Sequence, residues 1–554
     1  MKKSKLRLGV ILTSNTVLKW QYDMLEAINS SHYAAIEHIF ILHSSAYSLP
    51  FNSNLQGFLK NPVLEGHLLL DKILFGVKTG IDQVVEINTL ISPHHNTSSI
   101  LYQEGNFVGL DPVVLSQVAT HTIDVILNFS DKHLRIELLA LPKYGSWNYA
   151  ITTKGATLGN PLVYYAVFEQ EEMVVSEIKA QTPAHPLGQV IYRFSLLPDY
   201  LSYTKTLQAI YGRLSVAIPR MLEGIYTHGA PYLQDLISRH KPNGPEGDSQ
   251  AVSFPNARQA SKYAYKHFVY GVSRLIRKAR KVDHWSILIK KAKPDPLGTT
   301  LEEFMFLEQP PDRFWADPFV TTHAGKHYIF VEEVLYGSRK GHIAVIDINN
   351  EGEVLSMEKV LEKEYHLSYP FLINYNNTYY MIPETAGNRT IELYKSTGFP
   401  YKWEFVMNLM EDVCTADVTI FFYREKWWLF CCLDQTNGHA GMLDELHLFY
   451  SDKLFTTEWV RHPCNPIVTD VSSARPAGTI FTWGNKIYRP SQDCSGMYGK
   501  AININQITAL TETTYEEVVV HKILPDENKE IIGTHTFNFT GTFTVVDGFN
   551  YKSR

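Results

Sequence analysis

Three acidic residues in the C-terminal half stand at the ends of apolar, aromatic runs. Asp317 lies in Phe314-Trp-Ala-Asp-Pro-Phe-Val320, Glu384 closes Tyr379-Tyr-Met-Ile-Pro-Glu384, and Asp417 opens Ala416-Asp-Val-Thr-Ile-Phe-Phe422. Carboxyl groups brought to one place can divide acid and base duties, one protonating a leaving oxygen while another activates or replaces the nucleophile. Glu333, at the end of Tyr328-Ile-Phe-Val-Glu-Glu333, is an alternative partner. Arg475 and Arg489 each precede a proline, which holds the backbone before it extended and presents a planar fork suited to phosphate or carboxylate. Gln492, Tyr498 and His535 would complete an anion-binding wall, and Trp315 and Tyr369 would offer faces for stacking. The same residue types also serve structure: carboxylates satisfy turn amides, arginines tie strands together, and large aromatics fill cores.

The elements that must position these residues repeat. Four stretches, beginning near Phe314, Ser368, Ala416 and Ala474, each read as strand, tight polar turn, strand, loop, strand. A fifth, shorter one follows at Thr534-His-Thr-Phe-Asn538 and Thr542-Phe-Thr-Val-Val546. A period of about 50 residues in an all-β pattern predicts a propeller, here five-bladed. Such a ring points the start of each blade's inner strand at one central pit, and those starts carry Asp317, Asp417 and Arg475.

The chain of 554 residues is long enough for two or three domains. Its 45% hydrophobic and 12% aromatic content supports large cores, and a net charge of −6 gives no reason to expect a nucleic-acid partner. The five cysteines are odd in number and lack zinc spacing, so they read as packed thiols of a reducing compartment. His366, His439 and His535 form no metal motif by spacing, and neither a metal nor a cofactor is expected. The basic start is followed by an apolar run too short for a signal peptide, and no run of about 18 apolar residues occurs. A cytoplasmic location is expected.

Residues 1–235 alternate short apolar strands with helical spacing, which predicts an α/β domain with a doubly wound parallel sheet. Residues 236–300 read as a linker: a Gly/Pro-rich stretch over 240–256, then a basic amphipathic helix. From Arg258 to Lys293 there are eleven Lys/Arg and one acid, Asp283, interleaved with apolar residues. Such a segment fits either a solvated joining helix or a peripheral contact over 258–293 with the inner face of a membrane. The propeller occupies 301–554.

Two resemblances sharpen these readings. Leu139-Ala-Leu-Pro-Lys-Tyr-Gly-Ser-Trp-Asn148, followed by Leu158-Gly-Asn-Pro161, resembles the core of the formyltransferase family. Asn148 matches that family's catalytic asparagine, but Ala150 stands in the place of its histidine and Leu158 in the place of an arginine. The resemblance therefore implies the fold with a degenerate site. Further on, Trp315-Ala-Asp-Pro318, Ile382-Pro-Glu-Thr385, Ala474-Arg-Pro-Ala-Gly478 and Arg489-Pro-Ser-Gln-Asp-Cys494 are similar to the propeller domain of the glucosamine inositolphosphorylceramide transferase family. The architecture also resembles five-bladed glycosidases, in a different order of acidic residue types. Together these imply a carbohydrate-active protein of cell-surface polysaccharide or glycolipid assembly, taking an anionic sugar in the pit. Asp317 would be base or nucleophile, Glu384 the acid and Asp417 a modulator of their pKa. An N-formyl or acyl transferase acting on an amino sugar, and a non-catalytic glycan-binding or scaffolding protein, remain as alternatives.

Overall fold

A computed structural model describes residues 3–42, 61–76, 80–87, 98–104, 107–120, 122–130, 132–153, 156–157, 160–240, 252–338 and 340–554. Leu158 and Gly159 of the formyltransferase-like pattern, and residues 241–251 of the Gly/Pro-rich stretch, lie outside them. The chain divides into two compact units, Met1–Gly271 with Thr436–Ala440, and Val272–Gln435 with Gly441–Arg554.

The first unit is built on a mixed sheet. Its main strands are β1 (Leu6–Leu12), β2 (Ala34–Leu42), β3 (Ser98–Glu104), β4 (Val125–Asn128), β5 (Ser146–Thr153), β6 (Val174–Thr182) and β7 (His185–Leu196). They lie in the order β7-β6-β5-β4-β1-β2-β3, with short strands beyond β3. The pairs β1–β2, β1–β4, β4–β5 and β2–β3 are parallel, while β6 and β7 form an antiparallel edge. Leu8, Val10 and Leu12 of β1 enter one core, whereas Ile11 joins Phe40 and Ile126 in a second. A sheet buried on both faces needs near-continuous apolar strands, which explains the unbroken run Val10-Ile-Leu12. Helices α1 (Lys19–Ser30), α2 (Pro62–Phe75), α3 (Pro112–Ala119), α4 (Asn160–Glu169), α5 (Tyr203–His228) and α6 (Ala230–Arg239) accompany the sheet, and α7 (Ala257–Arg280) starts in this unit and runs on into the second from Val272.

The second unit is a five-bladed propeller of four-stranded antiparallel sheets. Blade one comprises Arg313–His323, Lys326–Leu335, Gly341–Ile348 and Val354–Leu361, and blade two Ser368–Tyr375, Thr378–Glu384, Thr390–Gly398 and Lys402–Glu411. Blade three runs from Thr415–Tyr423 to Val460–Arg461, and blade four from Phe481–Trp483 to Tyr515–Ile523. The fifth blade is made from both ends of the unit. Phe537–Phe539 and Phe543–Ser553 supply two strands, and Lys281–Lys291 and Met305–Phe306 complete the sheet. Lys281–Lys291 pairs with Phe543–Ser553 over eleven consecutive positions. This corrects the reading of 258–293 as one basic linker helix: the helix ends at Arg280, and the next eleven residues are a strand. The reason is closure. A ring of blades has no edge only if its last sheet is shared between the chain's ends, and the alternation in Trp285-Ser-Ile-Leu-Ile289 supplies apolar residues to the cores on either side.

Candidate functional site

Asp317, Tyr369 and Asp417 occupy equivalent places near the start of the first strand of blades one, two and three. Each has a left-handed backbone, with φ of +52°, +43° and +53°. At each the ladder with the second strand is broken, between Ala316 and Phe319, Ser368 and Phe371, and Ala416 and Thr419. A non-glycine residue in this conformation is strained by roughly 1–3 kcal/mol unless its surroundings hold it there. Here carboxylates do so. The Asp317 amide donates to Asp547 Oδ2 at 3.2 Å, the Tyr369 amide to Asp317 Oδ2 at 3.1 Å, and the Asp417 amide to Glu384 Oε2 at 3.3 Å.

The acidic groups thus serve the fold and meet one another. Asp317 is buried; its Oδ1 accepts from Thr536 Oγ1 at 2.8 Å and lies 3.4 Å from His535 Nε2. His535 Nδ1 is 2.6 Å from Asp547 Oδ2, and Trp285 stacks on the imidazole with centroids 4.1 Å apart. Despite burial, the flanking Asp547 and Asp317 carboxylates push His535 up to about 9, while burial pushes Asp317 up. Asp317, His535 and Asp547 each offer a ligand atom within 4.8 Å of the others. His535 stands between the two carboxylates as an ion pair on each side, at 2.6 Å from Asp547 and 3.4 Å from Asp317.

Beside it, Asp417 accepts from Arg475 Nε at 2.5 Å and from a second guanidinium nitrogen at 3.3 Å. Gln492 Nε2 donates to the same Asp417 Oδ2 at 2.8 Å. Glu384 Oε2 lies 3.6 Å from Arg475. Burial and the neighbouring Asp417 carboxylate push Glu384 up to about 8, against the lowering effect of Arg475. Tyr498 lies beneath the Arg475 guanidinium at 5.1 Å and edge-on to His535, with its ring partly exposed. Electrostatic coupling of Glu384 to both Asp317 and Asp417 joins these groups into one cluster.

Seven residues named from the sequence therefore converge: Asp317, Glu384, Asp417, Arg475, Gln492, Tyr498 and His535. Four do not act as expected. Trp315 is buried with Ile287, Ile329 and Phe543, filling the space between the first and fifth blades instead of presenting a face. Glu333 is held by Arg313 at 2.8 Å and His342 at 3.3 Å, which keep its carboxyl below the ordinary range despite burial. Tyr369 is a buried strut whose hydroxyl accepts from the Gly478 amide at 2.8 Å and bonds Thr419 Oγ1 at 2.8 Å. Gly478 is required there: with φ of +130°, a Cβ would meet the Phe537 carbonyl oxygen at 2.2 Å. Arg489 forks onto Glu517 at 2.6 and 2.9 Å and donates to the Ser473 carbonyl, tying strands within blade four.

Sequence reading gave no place in the site to Glu332, His366, Asp547 or Trp285. His366 Nε2 lies 2.9 Å from Glu332 and is raised by it. Strand parity distinguishes Glu332 from Glu333: Glu332 faces Ala316 across the ladder and Glu333 faces Trp315. Phe319 and Thr321 of blade one, Asn374 of blade two, Phe481 of blade four and Phe539 of blade five help wall a cavity of about 260 Å³ that has no acidic or basic side chain in its lining.

In the first unit, Asn148 and Ala150 lie on β5, and Ala150 faces Glu177 across the ladder. Glu177 is engaged by Arg193 Nε at 2.8 Å and Lys179 at 3.4 Å. The Asn148 Oδ1 is buried without a hydrogen bond.

Residues 304–538 match the family described as "Glucosamine inositolphosphorylceramide transferase 1, N-terminal". The glucosamine inositolphosphorylceramide transferase 1 of Oryza sativa subsp. japonica is 33% identical over 222 residues, 40% of this chain and 29% of that protein. That of Arabidopsis thaliana is 33% identical over 215 residues, 38% and 28% of the two chains. The chain thus spans less than a third of the length of these curated relatives. Among solved structures, the family 117 glycoside hydrolase Zg3597 of Zobellia galactanivorans shows 9% identity and a TM-score of 0.33, covering 48% of this chain and 90% of its own. The α-L-arabinanase of Cellvibrio cellulosa complexed with arabinohexaose shows 12% identity and a TM-score of 0.29, with coverages of 37% and 77%. The propeller segment, residues 304–538, is therefore similar to the N-terminal region of the glucosamine inositolphosphorylceramide transferase 1 family, as its motifs predicted.

Proposed function

We propose that the propeller binds and acts on a sugar in the assembly of a glycolipid or cell-surface polysaccharide, at the cluster around Glu384. One observation carries this reading. Glu384, pushed up to about 8, holds a proton at neutral pH beside an Asp417 carboxyl paired to a guanidinium. Carboxyl groups whose surroundings set them apart in this way are fitted to acid–base division at a glycosidic centre. Glu384 is the acid: its proton passes to the leaving oxygen as that oxygen's bond to the anomeric carbon breaks, and the water or acceptor hydroxyl that forms the new bond there gives a proton back to the Glu384 carboxylate. Asp417 and Arg475 hold it in place, and Tyr498 is the exposed aromatic face beside them. Asp317 is better described as a positioning residue, because both its oxygens are already engaged. Arg475 and Arg489 are occupied by Asp417 and Glu517, which favours a hydroxyl-rich sugar over an anionic one. The relatives' names, which join glucosamine to inositolphosphorylceramide, support the glycolipid setting.

A non-catalytic glycan-binding role is the second reading, favoured by the ion pairing of Asp317 and Asp417. For the first unit we propose a formyltransferase-like descent without catalysis. Ala150 cannot carry a proton and its cross-strand neighbour Glu177 is already paired. The test of the propeller reading uses p-nitrophenyl glycosides for turnover and saturation-transfer NMR with free monosaccharides for binding. Turnover by the native chain that is lost in Glu384→Gln, with binding retained, supports catalysis. Binding without turnover moves the assignment to the second reading, and absence of both overturns the proposal. Heat on titrating 10-formyl-tetrahydrofolate into the full chain would instead revive the acyl-transfer alternative.

A further inference from the structure

Helix α7 buries one side and leaves the opposite side apolar. Ala260 and Tyr263 are buried against the first unit's core, whereas Tyr265, Phe268, Val269, Val272, Leu275 and Ile276 are exposed. Their spacing of three and four residues places all six on one stripe about 120° wide. The exposure is deep: Phe268 and Leu275 retain 68% and 69% of their accessible surface. Scattered exposed apolar residues need no explanation, but a continuous stripe of them does.

Charge indicates what covers it. The helix and the residue after it carry Arg258, Lys262, Lys266, Arg274, Arg277, Lys278, Arg280 and Lys281 without a single Asp or Glu, in a chain of net charge −6. At 100° per residue, Lys262, Lys266 and Arg280 fall along one flank of the stripe, while Arg277 on the same flank sits over the Tyr551 ring at 4.6 Å. Long basic side chains beside an apolar face can reach lipid phosphates while the face enters the headgroup layer. A second copy of this helix would meet it with like charge. Helix α2 lies beside α7, with His67 Nε2 2.8 Å from His267 Nδ1, and it leaves its own exposed row, Leu69, Leu70, Ile73 and Leu74. Among the described residues no helix is long and apolar enough to cross a membrane, so α7 would lie in the interface plane.

We propose that α7, assisted by the exposed row of α2, docks the chain on the surface of an anionic lipid bilayer. The reading is independent of what the propeller does to a sugar. It is tested by co-sedimentation of the full chain with vesicles of phosphatidylcholine alone and of phosphatidylcholine with phosphatidylglycerol. The native chain should sediment with the anionic vesicles at least tenfold more tightly than with the neutral ones. Phe268→Glu combined with Leu275→Glu should abolish that binding, and Lys262→Glu with Lys266→Glu should weaken it severalfold and flatten its salt dependence. All four positions leave the fold intact by circular dichroism if they are surface residues. In Phe268→Trp, emission should shift to shorter wavelength on adding anionic vesicles. Failure to sediment at low salt, or sedimentation unaffected by the double glutamate variant, overturns the proposal. So does a native dimer by light scattering that the same variant dissociates, since the stripe would then be a protein interface.

Discussion

Arg475 meets Asp417 through Nε at 2.5 Å and a second nitrogen at 3.3 Å, joining the start of blade three to the segment that leads into blade four. The same aspartate opens a left-handed bulge whose amide is held by Glu384. Catalytic-looking side chains and the strained backbone of the ring are thus one network. Removing either partner of a buried pair strands a charge, at a cost of about 3–5 kcal/mol. Arg475→Met should therefore destabilise the propeller by that order in urea unfolding. Adding Asp417→Asn should recover part of the loss, as a double-mutant cycle measures directly.

The protonation of the cluster makes stability depend on pH. Folded Glu384 titrates near 8 against an ordinary 4.5, so its contribution is complete below 4.5 and is lost as pH rises through 8. His535 titrates near 9 against 6.5, so its contribution is complete below 6.5 and lost as pH rises through 9. Both act in one direction between 6.5 and 8, with His535 alone continuing to 9, and the propeller's melting temperature should fall across that window. In the first unit His67 is held down to about 4 by burial and by His267, so its contribution is lost as pH falls from 6.5 towards 4. Calorimetry at half-unit pH steps would show the opposed trends; a melting temperature flat from 6.5 to 9 would contradict the assignment of Glu384.

Tyr369 is a strut, and its hydroxyl is what matters. Tyr369→Phe keeps the ring but leaves the Gly478 amide without its acceptor and removes one of the two bonds of the Thr419 hydroxyl, whose other partner is the Asp417 carbonyl. A buried donor left unsatisfied costs about 1–3 kcal/mol. Unfolding free energy should drop by that amount while sugar binding, measured by NMR, stays within twofold. A large loss of binding would mean that Tyr369 touches the ligand.

Closure of the ring rests on Lys281–Lys291. Ile287→Asp places an unpaired charge in the core shared by Ile329, Phe543 and Val545. It should cost at least about 3 kcal/mol and release the C-terminal strands first, seen as accelerated amide exchange over 543–553. Uniform exchange across all five blades would show instead that the ring opens as a unit.

Local pattern was enough for much of this protein. The alternation of strand and turn about every 50 residues announced five blades, and the short apolar strands alternating with helical spacing announced a doubly wound sheet, which is parallel in its centre but carries an antiparallel edge that local pattern did not reveal. The same pattern brought Asp317, Glu384, Asp417, Arg475 and His535 to notice, because each lies within a repeated stretch, while Gln492 and Tyr498 were read from the segment between two predicted strands of the fourth. Partnership is a different kind of information. Arg475 and Arg489 share the same Arg-Pro context, yet one lies in the acidic cluster and the other on Glu517 within its own blade. Glu332 and Glu333 are adjacent, and the parity of a strand sends them to different neighbours. Trp315 and Tyr369 had the chemistry of stacking platforms, but burial between and across blades made them core. Lys281–Lys291 was hidden because its partner lies some 260 positions later in the chain. Periodicity is a property of neighbours in sequence and so could be read directly. Burial, ion pairing and ring closure depend on residues far apart in the chain, and only the folded ring decided them.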